Sequence, residues 1–272
     1  AFRHRHHRRA LVAVGATLLA AALFSGGLAA QGTAPASSNA QWPVRPIRLV
    51  IPFPPGGATD IIGRTLAQKL SAQLGQPVVV DNKPGAGGTL GSAEVAKAPA
   101  DGYTLLLATT STHSVAPSLF KAMPYSAERD FTPVSEVATA TNVLIVAPTV
   151  SARDVRGLIA LAKSAPDSLN YASSGNGTIV HLQGELFRQM AGVALTHVPY
   201  KGTALAIPDL ISGQTHLLFD SLVSALPHIR GGKVKALAVT SATRTPLLSN
   251  VPTVIESGLP GYEVNTYFGL FG

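Results

Sequence analysis

Apolar residues fall along this chain in short runs separated by longer stretches of helical spacing. Arg48 to Phe53 is a compact apolar run that predicts a strand. Pro54-Pro55-Gly56-Gly57 then forces a turn. Ile61, Ile62, Thr65, Leu66, Lys69 and Leu70 recur at a helical period and predict a helix over 60–74, ended by Gly75. Residues 77–80 form a β-branched strand, and 81–91 form a glycine-rich loop entering a short helix up to Ala98. Residues 103–108 predict the next strand, closed by Thr109-Thr110-Ser111-Thr112-His113. Residues 143–146 read as a strand, and Ser151 with Asp154 three residues on reads as a capped helix start. A strand over 169–172 leads through the loop 173–178 into a helix over 179–190. Residues 196–199, 217–220 and 235–239 give further short strands with helices between them.

Short strands alternating with helices of 10–15 residues are the βαβ pattern, which predicts an α/β fold with parallel sheets covered on both faces. The 272 residues accommodate two such halves. The expected division is 43–135 for the first lobe and 136–245 for the second, with 246–272 returning toward the first. Residues 31–41, rich in Gln, Gly, Ala, Pro and Ser, read as a linker.

The formal charge of +7 suggests an acidic partner until its distribution is considered. Arg3, Arg5, Arg8 and Arg9 precede an apolar run over 10–24, followed by small residues. That order is the signature of a secretory signal, and the apolar run is shorter than the roughly 20 residues of a spanning helix. Residues 1–40 are therefore expected to be signal peptide and linker, and the body to be exported to the periplasm. Without those four arginines the body is close to +3, with no basic block to track a nucleic acid. Cysteine is absent, which excludes disulfides, thiolate metal sites and a cysteine nucleophile.

Three segments have the strand–glycine loop–helix form that suits an anion: 54–60, 83–91 and 173–181. None is a P-loop, and Gly85-Ala86-Gly87-Gly88-Thr89-Leu90-Gly91 misses the dinucleotide spacing by one residue. No G-x-S-x-G elbow occurs, and His113, His181, His197, His216 and His228 are dispersed without metal-ligand spacing. No catalytic residue, metal or cofactor is expected. What remains is a set of neutral donors: Thr110, Ser111 and Thr112 after one strand, and Ser173, Ser174, Asn176 and Thr178 after another. Ligands of open α/β sheets lie at the carboxyl ends of strands, where these hydroxyls also serve as helix caps.

Ile51-Pro-Phe-Pro-Pro-Gly-Gly-Ala-Thr-Asp60, Asp81-Asn-Lys-Pro-Gly-Ala-Gly-Gly88, Tyr171-Ala-Ser-Ser-Gly-Asn-Gly-Thr178, Val198-Pro-Tyr-Lys-Gly202 and Asn250-Val-Pro-Thr253 occur in this order. The ordered set resembles the solute-binding receptors of tripartite tricarboxylate transporters, the Bug or TctC type, from Trp42 to Gly272. The resemblance implies a two-lobed type II periplasmic binding protein, with Rossmann-like lobes closing as a Venus flytrap. It implies that one ligand carboxylate is held by two loops. The first supplies Pro55, Gly56, Gly57, Ala58 and Asp60; the second supplies Ser174, Asn176, Gly177, Thr178 and His181. Thr110, Ser111, His113, Lys201 and Asp220 would face the rest of the ligand. His113 and Lys201 would meet a second carboxylate, and Asp220 an ammonium group or nothing. The implied role is an extracytoplasmic, monomeric, non-enzymatic receptor for a small mono- or dicarboxylate or an acidic amino acid. It would deliver this ligand to membrane permease subunits; ligand sensing or scavenging without transport is the alternative. The resemblance also implies a further helix-bearing segment after Gly272, so the chain is expected to be C-terminally incomplete.

Overall fold

The computed structural model describes residues 42–272, so the expected signal peptide, its cleavage region and the linker before Trp42 lie outside the described residues. Nine strands occur among them: β1 (Ile47–Ile51), β2 (Val78–Asn82), β3 (Thr104–Thr109), β4 (Pro133–Val146), β5 (Asn170–Ser173), β6 (Thr196–Pro199), β7 (Leu217–Ser221), β8 (Lys235–Val239) and β9 (Asn265–Phe271). The helices are α1 (Ala58–Leu74), α2 (Thr89–Val95), α3 (Ala116–Leu119), α4 (Val155–Ser164), α5 (Ile179–Ala191), α6 (Thr203–Ser212) and α7 (Leu222–Arg230). Gly75 ends α1 in the left-handed conformation at φ 68°, as its position predicts.

The strands form one sheet in the order β2-β1-β3-β9-β4-β7-β5-β6, with β8 also paired to β4. The expectation of parallel sheets is corrected here. β1 pairs in parallel with β2 and β3, and β5 with β6 and β7, but every pairing of β4 and β9 is antiparallel. The cause is β4, which runs fourteen residues where the apolar pattern predicts four. Its first part, Pro133–Thr141, pairs with β9; its second part, Asn142–Val146, pairs with β7 and β8. The first part is largely exposed and the second fully buried, so only the second carries an apolar signal.

Alternation along the strands divides the core. Ile47, Leu49 and Ile51 face the α1 side with Leu105, Leu107 and Phe268. Val50, Leu106 and Ala108 face the opposite side with Ala93, Tyr125 and Phe131. A separate and larger cluster gathers β5, β7, β8 and the second part of β4 with α4 and α5, centred on Tyr171, Phe187, Phe219 and Tyr262. One cap is also corrected. Asp154, not Ser151, begins α4, its carboxylate accepting the Gly157 N–H at 2.7 Å.

Candidate functional site

A narrow cavity of about 60 Å³ opens where the two parts of the sheet meet. Four helices start on it. Gly57, Ala58 and Thr59 open α1; Ile179 and Val180 open α5; Gly202, Thr203 and Ala204 open α6; Asp220 and Ser221 lead into α7. α1 and α6 begin at glycines with no side-chain cap. The first N–H groups of a helix have no partner inside it, and the helix dipole makes that end positive. Thr109, Ser111, Asn142, Ser174 and Thr266 add polar side chains, and Phe53 and Phe268 give the cavity aromatic walls. The Thr109 hydroxyl is buried there without a hydrogen-bond partner.

Two contacts tie the cavity walls together. The Ile179 N–H, the first of α5, donates to the Ser111 hydroxyl at 3.0 Å. A Cβ placed on Gly202 would lie 2.5 Å from Cδ of Pro54, so the α6 start and the β1–α1 loop meet with no room for a side chain. At the rim, a Cβ on Gly177 would lie 2.7 Å from Leu119 and 2.8 Å from Phe120.

The fifteen residues singled out from the sequence are sorted by this geometry. Gly57, Ala58, Ser111, Ser174 and Asp220 line the cavity. Pro55 and Gly56 are exposed and lie with Ala204 and Pro208 in a separate surface groove. Asp60 is buried behind the loop. It accepts hydrogen bonds from the Gly56 N–H at 3.0 Å, Arg64 at 2.9 Å and Asn82 at 3.0 Å. Burial by itself would raise the Asp60 carboxyl, but these donors and the Arg64 charge hold it below the ordinary range. It shapes the loop that carries Gly57.

Thr178 caps α5. Its hydroxyl accepts from the His181 N–H at 3.3 Å and from Ser174 at 2.9 Å, and donates to the Gly175 carbonyl at 2.8 Å. Asn176 is exposed, and the Gly177 N–H donates to His181 Nδ1 at 3.3 Å. His181 stacks on His197 with ring centroids 4.1 Å apart, and His197 meets the Ser173 hydroxyl at 2.6 Å. Burial lowers both imidazoles, His197 to about 4, so the stacked pair is neutral at pH 7. The Thr110 hydroxyl accepts the Tyr267 N–H at 3.0 Å and so joins β3 to β9.

His113 and Lys201 are not placed on the cavity. His113 is packed among Phe131, Phe271 and Tyr125, with centroids 4.8, 4.5 and 6.0 Å away, and burial pushes it down to about 4. Lys201 is exposed. Among the described residues, none with a basic side chain lines the cavity, and Asp220 is the one titratable residue that does. Asp220 is 1% exposed. Burial pushes its carboxyl up to about 6, against hydrogen bonds from Ser224, Thr203 and the Ser221 N–H.

Several lining residues were not anticipated individually from the sequence. Thr59 follows Ala58 in the first loop, and Thr109 ends the strand before the donors that were named. Asn142 and Thr266 sit in β4 and β9, whose pairing is long-range, and a polar residue opening the apolar run 143–146 is the single local sign of Asn142. Among the described residues, no group of three or more His, Cys, Asp or Glu is arranged to hold a metal ion, and no helix is long and apolar enough to cross a membrane.

This architecture has close relatives. Residues 62–272 match the family described as tripartite tricarboxylate transporter family receptor. Protein BugT of Bordetella pertussis is 39% identical over 244 residues, covering 89% of this chain and 75% of that one. A solved R. palustris protein with adipate is 41% identical and superposes with a TM-score of 0.83, covering 85% of this chain and 77% of its own. MatC from Rhodopseudomonas palustris, solved with bound malate, is 36% identical with a TM-score of 0.81, covering 85% and 79%. The fold is that of the periplasmic binding proteins, and the chain belongs to the receptor family of the tripartite tricarboxylate transporters, whose members bind solutes and are not enzymes.

Proposed function

We propose that this protein captures a small organic carboxylate in the cavity at the four helix starts and delivers it to the permease subunits of a tripartite transporter. The observation that carries the reading is the convergence of α1, α5, α6 and α7 on one cavity that, among the described residues, no lysine or arginine lines. Each helix start favours an anion by about 0.3–1 kcal/mol when exposed and up to about 2 kcal/mol when partly buried. Several acting together hold a carboxylate without an ion pair. In relatives of this fold the bound molecules include adipate and malate, which supports the same ligand class here. The anchoring groups are the N–H groups of Ala58 and Thr59, together with the Ser111 hydroxyl and the free Thr109 hydroxyl at the end of β3.

The change of partners along β4, between Thr141 and Asn142, supports a division into two lobes joined by β4 and β9. Lobe closure on a ligand would then bring α1 toward α5 and α6. The basic and apolar opening of the sequence supports export by a signal peptide.

A thermal-shift panel of short mono-, di- and hydroxycarboxylates, including adipate and malate, tests the reading. At a concentration near a hundred times Kd, a true ligand stabilises the native state by about 2.7 kcal/mol. For a domain of this size that raises Tm by about 5–10 °C. Absence of a shift with every acid would overturn it.

A further inference from the structure

We propose that the cavity takes up its carboxylate together with one proton, and that Asp220 carries that proton. The inference rests on the carboxylate reading above. Asp220 lines the same narrow cavity of about 60 Å³. An arriving carboxylate therefore enters a space whose wall includes Asp220, a side chain that is itself 1% exposed. Two carboxylates in such a space do not both stay ionised, because like charges repel strongly where solvent is excluded.

Among the described residues, no lysine or arginine lines the cavity to relieve that repulsion; on α5, His181 stacks on His197 and Arg188 pairs with Glu185. On β7 itself, His216 precedes the strand and bonds to Asn170 at its opposite end. On α7, His228 and Arg230 belong to the last turn, whereas Asp220 precedes the first. On α6, Asp209 accepts from Tyr200 at 2.6 Å, and Lys201 just ahead of the helix is exposed. On α1, Asp60 and Arg64 are paired with each other, and Lys69 lies farther along the helix and is exposed. On the neighbouring strands, Glu136 is at the exposed end of β4, and Tyr171 of β5 bonds to Glu185. The contacts Asp220 does make come from Ser224 at 2.8 Å, the Ser221 N–H at 2.9 Å and Thr203. Burial already pushes the Asp220 carboxyl up to about 6. A second carboxylate beside it raises it further, so between that value and the higher one in the complex, binding consumes a proton.

The test is isothermal titration calorimetry on the full chain from pH 6 to pH 8, using whichever of adipate, malate, succinate or benzoate gives the largest thermal shift. Those acids are mostly ionised over this range, and His113 and His197, at about 4, do not titrate in it. The expected result is a Kd that weakens about tenfold per pH unit, since one proton is linked to each ligand. The binding heat should also vary with the ionisation heat of the buffer, as uptake of close to one proton requires. Asp220→Asn keeps the shape and removes the charge, so its Kd should be flat over the same range. A wild-type Kd that does not change, with no buffer dependence of the heat, would overturn the proposal. So would a slope that persists in Asp220→Asn. The buffer dependence is read on the wild-type protein, so the test stands even where the variant folds poorly. Failure of all four acids to bind at any pH would count against the carboxylate reading itself and overturn both.

Discussion

Gly202 packs against the ring of Pro54 so closely that a single added methyl would lie 2.5 Å from Pro54 Cδ. The Gly202 backbone is extended, with φ 164°, which any residue adopts. The demand for glycine there is therefore one of space alone. Gly202→Ala should weaken ligand binding, because overpacking of this kind costs about 1–3 kcal/mol, or about tenfold to a hundredfold in Kd. Calorimetry against the best organic acid measures the loss. The Tm of the ligand-free protein should change much less if Pro54 and Gly202 belong to walls that separate when the cleft is empty.

Thr178 offers a different kind of prediction. Its hydroxyl is committed to three partners at the start of α5. Thr178→Val should cost about 1–2 kcal/mol of stability, the ordinary worth of a helix cap. Thr178→Ser should restore most of it. Urea unfolding of the three proteins checks this; equal stabilities would mean that the cap is replaceable by water.

Acid should unfold this protein through its histidines. Burial depresses His113 and His197 to about 4 in the folded state, against an ordinary value near 6.5. Between those limits the unfolded chain binds more protons than the native one, so stability rises with pH across that window and is lost as pH falls through it. Asp60 adds to the loss at lower pH, since its folded carboxyl sits below the ordinary range. His113→Phe, which suits the surrounding Phe131, Phe271 and Tyr125, should flatten the fall in Tm between pH 6.5 and 4. An unchanged profile would exclude His113 as a contributor.

The sequence pattern located most elements to within a residue or two, because most of them carry their own signal. β6 and β8 match their apolar runs, and α5 extends only one residue beyond its helical period. What escaped was non-local. The first part of β4 is a sequence of small and polar residues that becomes a strand because β9, more than a hundred residues later, supplies its hydrogen bonds. That pairing also turns a parallel expectation into a mixed sheet. The same logic separates the site residues. The two glycine loops announce themselves by composition, and Gly57, Ala58 and Ser174 line the cavity. The family resemblance places His113 with Ser111 against the ligand. The wide π-helical turn over Ser111–Val115 instead sends Ser111 to the cavity and His113 into an aromatic cluster completed by Phe271.

A crystal structure with the organic acid that gives the largest thermal shift would show which groups hold the carboxylate. The expected result is a carboxylate inside the cavity, with its oxygens about 3 Å from the N–H groups of Ala58 or Thr59 and from the hydroxyl of Thr109. A ligand bound outside the cavity, or one whose carboxylate points to solvent while its apolar end fills the space between Phe53 and Phe268, would contradict it.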